Sequence, residues 1–224
     1  MIHRLLIDNL TEWSKRENRK PLVLRGARQV GKTTLIDQFS KQYDSYIKLN
    51  LEQSNDAKAF AISDNVAEIF QYICLQKKIT VDRNKRTLLF IDEIQNEPKA
   101  VQALRYFYEK RPDLYVIAAS SLLESLMGRH ISFPVGRVEY MALHPCTFVE
   151  FLMAIGEDML ANQIEKIAVP QSLHSYTLDL FKKYFRLFIT ERINWFLFHS
   201  RRLHVFHWIL GYHLVPFCIL KNIK

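Results

Sequence analysis

Residues 21–34 read PLVLRGARQVGKTT, and they contain Gly26-Ala27-Arg28-Gln29-Val30-Gly31-Lys32-Thr33, a complete G-x-x-x-x-G-K-T with Thr34 after it. The run PLVLRG ahead of the loop is short and apolar, which suits a strand buried on both faces in a parallel sheet. The residues after it have the texture of a helix. A loop between such elements can turn its backbone N–H groups inward onto phosphate oxygens, and glycine permits both the unusual dihedrals and the close approach. Lys32 supplies a mobile positive charge for the β- and γ-phosphates. The Thr33 hydroxyl is placed to ligate Mg²⁺, and the helix that follows points its positive dipole end at the anion. With independent positions, a chance match in a chain of this composition arises roughly once in a thousand.

A second stretch fits the first. Leu88-Leu-Phe-Ile-Asp92-Glu93 is an apolar run closed by two acids. Adjacent carboxylates at the end of a buried strand are costly unless they are used. In open α/β sheets ligands bind at the carboxyl ends of strands. Asp92 is expected to hold the Mg²⁺ shell opposite Thr33, and Glu93 to orient and deprotonate an attacking water. A third run, LYVIAAS at 114–120, leads into Ser121. Ser121 is read either as a hydrogen-bond partner of the γ-phosphate or water, or as the N-cap of a helix over 121–127.

The wider pattern alternates. Apolar runs at 45–52 (SYIKLNLE), 87–94 and 114–120 are separated by stretches long enough for crossover helices at 33–41, roughly 56–77, and 98–111, with Pro98 suited to a first helical turn. An amphipathic helix is expected over 2–19 on Leu5, Leu6, Leu10 and Trp13. RVEYMALHP (137–145) alternates as a strand, and Thr147 with Glu150 forms a capping box opening a helix to 155. The implied fold class is α/β, a three-layer P-loop domain with a mainly parallel central sheet, followed by a short helical or irregular C-terminal segment.

Composition narrows the class. The chain has 224 residues, 49% hydrophobic and 24% charged, which excludes a disordered or low-complexity protein. Residues 1–180 hold 23 basic and 22 acidic side chains, whereas 181–224 hold 8 and 1. The net charge of +8 is therefore no argument for nucleic-acid binding by the whole chain. Three scattered cysteines (Cys74, Cys146, Cys218) and an N-terminus unlike a signal peptide point to the reducing cytoplasm.

The strings RGARQVGKTT, LLFIDEIQ, VIAASSLLES and PVGRVEYMALHPCTFVEFL resemble the prokaryotic AAA-type ATPases of the archaeal-ATPase-like group, over roughly residues 1–185. The resemblance implies ATP at Gly26–Thr34, Mg²⁺ at Thr33 and Asp92, a catalytic Glu93, a sensor serine at Ser121 and an arginine at Arg137. That arginine would act across an oligomer or sense the γ-phosphate. A salt-bridged strand arginine is the plainer reading of Arg137, and a solvated side chain the plainer reading of Arg28. Ser120 stands where members usually have glycine. The group also carries a nuclease-like C-terminal domain through which a protein or DNA partner would be reached, and this chain is expected to lack it. The expected division is an ATPase domain over 1–160, a helical connection over 161–185 and an atypical basic, aromatic tail over 186–224.

The tail supports several readings. Residues 203–220 carry no acid, lysine or arginine, but three histidines, Gly211 and Pro216 argue against a membrane span. A nucleic-acid-binding arm and an ordinary helical cap are alternatives. A shifted reading frame near residue 186 best explains the abrupt loss of acids and of any clean period. On function two readings stand: an ATPase that uses hydrolysis as a switch, and a non-hydrolysing ATP-responsive module or non-functional remnant.

Overall fold

The computed structural model describes residues 2–82, 84–121, 136–166 and 175–199. These fall into two compact units, 1–154 and 155–224.

The first unit is built on five strands: β1 (Leu22–Arg25), β2 (Ser45–Asn50), β3 (Thr87–Asp92), β4 (Leu114–Ser120) and β5 (Glu139–Ala142). They lie in the order β2-β3-β4-β1-β5, and every pairing is parallel. Parallel neighbours need crossovers. These are supplied by α2 (Lys32–Phe39), the pair α3 (Ser54–Ile62) and α4 (Val66–Lys77), and α5 (Pro98–Lys110), with α1 (Leu6–Lys15) leading into β1.

Strand side chains alternate between two faces, and the alternation sorts the core into two clusters. Val23, Ile47, Leu49, Leu89, Ile91, Val116 and Ala118 pack with residues of α3, α4 and α5. Leu22, Leu24, Leu88, Phe90, Ile117 and Ala119 pack with α1 and α2. The three-layer α/β arrangement follows directly. All six residues of β3 are buried, as a central strand covered on both faces requires. Burying each such aliphatic or aromatic side chain is worth about 1.5–3 kcal/mol.

Several boundaries differ from the sequence reading, each for a local reason. The 56–77 stretch breaks at Ser63–Asn65, where the Asn65 side chain accepts from the Ala67 N–H and caps α4. Helix α1 is shorter than 2–19, since Arg16 is already extended. β3 stops at Asp92 because Glu93 adopts a left-handed conformation (φ 52°) and opens a short 3₁₀ turn, Ile94–Asn96. Pro98 does stand in the first turn of α5. The capping box forms at α6 (Phe148–Ala154): the Glu150 N–H donates to Thr147 Oγ1 at 3.2 Å, and the Thr147 N–H to the Glu150 carboxylate at 2.8 Å.

The second unit contains α7 (Asp158–Lys166) and α8 (Ser175–His199). It begins just before Gly156 (φ 86°), and α7 straddles residue 160, the expected end of the ATPase domain. Leu160, Ala161, Phe181 and Phe188 are buried, and the Tyr184 hydroxyl donates to the Glu157 carboxylate. Helix α8 runs without a break past Arg186, where the sequence loses its period. Residues 175–199 hold neither glycine nor proline, so the backbone can remain helical with no amphipathic pattern to direct it. Among the described residues no helix is long and apolar enough to cross a membrane. Residues 122–127 of the helix expected over 121–127 and the tail segment 203–220 lie outside the described residues.

Candidate nucleotide-binding site

The loop from Gly26 to Gly31 joins the carboxyl end of β1 to the N-terminus of α2. Its two glycines serve different ends. Gly31 has φ 93°, a conformation that L side chains rarely adopt. Gly26 is required for space, since a Cβ there would stand 2.4 Å from the Leu143 carbonyl oxygen. Gln29 also takes positive φ (64°), so left-handed positions flank Val30. Alternating conformations of this kind build a concave nest of N–H groups suited to an anion.

Lys32 is buried, and its ammonium donates to the carbonyls of Gly26 and Ala27, both at 2.9 Å. Burial pushes its pKa below the usual lysine value. The charges of Glu93 and Asp92 act the other way, and exposed Arg28 adds to the lowering. A phosphate in the cradle would relieve that cost.

Thr33 Oγ1 donates to Asp92 Oδ2 at 2.7 Å, bringing together the two oxygen groups expected at Mg²⁺ from positions 59 residues apart. Hard oxygen donors of this type suit Mg²⁺. The Glu93 N–H closes onto Asp92 Oδ1 at 3.0 Å. At the end of β4, Ser121 Oγ donates to Glu93 Oε2 at 2.8 Å. Lys32, Thr33, Asp92, Glu93 and Ser121 thus converge at the carboxyl ends of β1, β3 and β4, with Thr34 exposed beside them.

Two participants escaped the sequence reading. Gln95 donates to the Glu93 carboxylate and to Ser121 Oγ (3.4 Å), while its carbonyl accepts from Ser120 Oγ at 2.8 Å. Ser120 therefore occupies its buried position with a partner. The only available signal was a polar residue two places after the acid pair. Arg4 is the second, bonded to the Val30 carbonyl at 2.9 Å. Nothing in the sequence marks a contact over that separation.

Arg137 is not brought to the site. It precedes β5, whose Glu139 N–H bonds to the Pro21 carbonyl at the entry of β1. Five residues of strand, about 16 Å, separate that end from Gly26. Arg137 instead approaches Glu109 at 3.4 Å. A γ-phosphate sensor within its own chain would have to span the distance from that end to Gly26. The Glu109 contact is of the kind that the plainer salt-bridge reading expects.

An uncharacterized protein of Methanocaldococcus jannaschii is 22% identical over 205 residues, covering 86% of this chain and 40% of that protein. Among solved structures, the chain is similar to the Walker-type ATPase of Pyrococcus abyssi (19% identity, 74% of this chain and 62% of that one, TM-score 0.44). It is also similar to C. elegans PCH-2 (14% identity, 78% and 52% covered, TM-score 0.42). The chain spans less than two thirds of each. A family model described as an AAA domain matches residues 18–152. That match takes in the glycine loop, the acid pair at the end of β3 and all five strands, and the chain accordingly belongs to the AAA domain family.

Proposed function

We propose that the chain binds ATP with Mg²⁺ at Gly26–Thr34 and hydrolyses it slowly to ADP and phosphate, using the cycle as a conformational switch. The observation that carries this is the Thr33–Asp92 contact at 2.7 Å with Lys32 and Glu93 beside it. The loop N–H groups would hold the phosphates, and the Lys32 ammonium would exchange two carbonyl partners for phosphate oxygens. Thr33 and Asp92 would hold Mg²⁺, which supplies charge neutralisation between the phosphates when bound. Glu93 would orient a water and take its proton as the water oxygen bonds to the γ-phosphorus. The bond to the β-phosphate oxygen breaks, and ADP leaves. Ser121 would hold Glu93 or the γ-phosphate in register. No covalent intermediate is required, only position and charge.

Arg137 of a neighbouring copy would complete the charge stabilisation in a homo-oligomer. A protein or DNA partner would receive the switch. A cytoplasmic setting belongs to this reading, and the unpaired Cys74 thiol suits it.

A second reading, ATP binding without hydrolysis, is favoured by one feature. The Glu93 carboxylate is engaged by Ser121 and Gln95, which hold it as an acceptor and leave it less available as a base.

A titration with a fluorescent ATP analogue and Mg²⁺ tests the binding. Saturable binding by the wild type is expected, weakened roughly 10- to 100-fold or more in Lys32→Ala, since a charge-assisted contact is lost. No binding by the wild type would refute the nucleotide reading. Glu93→Gln should retain binding while phosphate release falls roughly 10²- to 10⁴-fold. Equal turnover by Glu93→Gln would remove the base assignment. Binding without turnover by the oligomeric wild type would establish the second reading.

A further inference from the structure

Beside the phosphate loop, Arg4 and Glu150 form a densely bonded polar pair. Arg4 lies just before α1 and is largely withdrawn from solvent, its side chain 11% exposed. Its guanidinium reaches three separate segments. Nε donates to Glu150 Oε1 at 3.0 Å, Nη1 to the Val30 carbonyl at 2.9 Å, and Nη2 to the His144 carbonyl at 2.5 Å. Glu150 is fixed in turn. Its carboxylate also accepts the N–H groups of Leu5 (3.0 Å) and Thr147 (2.8 Å) and the Thr147 hydroxyl (3.2 Å). A planar fork held on a buried carboxylate has little freedom to swing away.

The Val30 contact bears on the phosphate cradle through the peptide plane. In a trans peptide, the C=O of one residue and the N–H of the next point in opposite directions. Val30 and Gly31 share such a plane at the mouth of α2. Drawing the Val30 oxygen towards Arg4, behind the loop, aims the Gly31 N–H into the nest. A cation on the carbonyl also polarises that peptide and makes its N–H a better donor. Arg4 Nη1 stands 3.8 Å from where a Gly31 Cβ would be, so the guanidinium lies against the loop at this residue.

We infer that Arg4 is a positioning residue of the phosphate loop, anchored by Glu150, which sets the direction and strength of the Gly31 N–H towards a nucleotide phosphate. The inference rests on the nucleotide reading above. It goes beyond that reading by assigning a role to a residue outside the phosphate loop that precedes the family match.

The experiment uses the full chain as wild type, Arg4→Ala and Arg4→Lys, with affinity for Mg-ATP and for inorganic pyrophosphate measured well below each variant's melting temperature. Arg4→Ala is expected to weaken both ligands by about tenfold or more, the scale of one hydrogen bond to a charged group. Arg4→Lys keeps the charge but cannot span three acceptors, and it should fall between. Equal loss for pyrophosphate and ATP locates the effect at the phosphates rather than the base, and measuring well below each melting temperature separates it from a smaller folded fraction. The Gly31 amide resonance of the ligand-free protein is recorded for wild type and Arg4→Lys, and it should move on substitution. That readout stands even if the wild type binds no ATP, in which case only the nucleotide reading fails. Wild-type affinities in a folded Arg4→Ala, or an unmoved Gly31 amide in Arg4→Lys, would overturn the inference.

Discussion

The two ends of the central sheet are built on opposite principles. At the carboxyl ends of the strands, charged and polar groups are gathered at a cost: Lys32 buried with a lowered pKa, Asp92 buried, and Glu93 in a left-handed backbone conformation. A non-glycine residue in that conformation costs on the order of 1–2 kcal/mol. At the amino ends, the chain is closed by ring faces. Trp13 meets Tyr115 edge-on at 6.3 Å, and Tyr115 meets Tyr43 at 4.8 Å. Arg19 lies 3.5 Å over Tyr115, and Arg86 lies 4.8 and 5.0 Å from the Tyr43 and Tyr115 rings. Cation–aromatic contacts of this type contribute about 0.5–2 kcal/mol each. One end stabilises the domain, and the other draws on that stability to hold groups a ligand would satisfy.

The sharpest way to break this comparison is at Trp13, which is fully buried and donates its indole N–H to the Lys20 carbonyl at 2.9 Å. Trp13→Ala should destabilise the domain by about 3–5 kcal/mol. Any variant still folded should keep its nucleotide affinity. Urea unfolding beside the ATP titration checks both, and a large affinity change in the folded fraction would mean the two ends are coupled.

A smaller effect is expected at Glu150. Burial pushes its carboxyl up, but hydrogen bonds from Thr147, Arg4 and Leu5 outweigh it and hold the pKa below the ordinary 4.5. A carboxyl with a depressed folded pKa stabilises the protein above its unfolded value and loses that contribution as pH falls through the folded one. Wild type should therefore lose stability more steeply than Glu150→Gln below about pH 4.5. Urea midpoints at pH 7, 5 and 3 measure the difference, and parallel curves would refute it.

The smallest effect is expected at Arg137. Its partner Glu109 is shared with Arg105 at 3.0 Å, all at the surface. Arg137→Ala should shift stability by no more than about 0.5 kcal/mol and leave ATP binding by the isolated chain unchanged. A fall in turnover confined to concentrations at which the protein self-associates would instead identify it as a residue acting between copies.

What could be read from the amino acids alone was whatever local chemistry dictates. The short apolar runs of β1, β3 and β4, glycines at 26 and 31, the lysine and threonine after them, and two acids closing an apolar run each carry their reason within a few residues. The capping box of Thr147 and Glu150 is of the same kind. What the tertiary structure decided depends on chain segments far apart in sequence. Gly26 is needed because Leu143, just past the end of β5, passes against it. Glu93 is engaged by Ser121, just past the end of β4, and by a Gln95 that follows a left-handed turn. Arg137 lies at the far end of the sheet because a parallel β5 must begin where β1 begins. Arg4 reaches the loop across 26 residues and Glu150 across 146. Local spacing fixes which groups a segment can offer. Which of them meet is set by strand order and direction, and these depend on the packing of the whole domain.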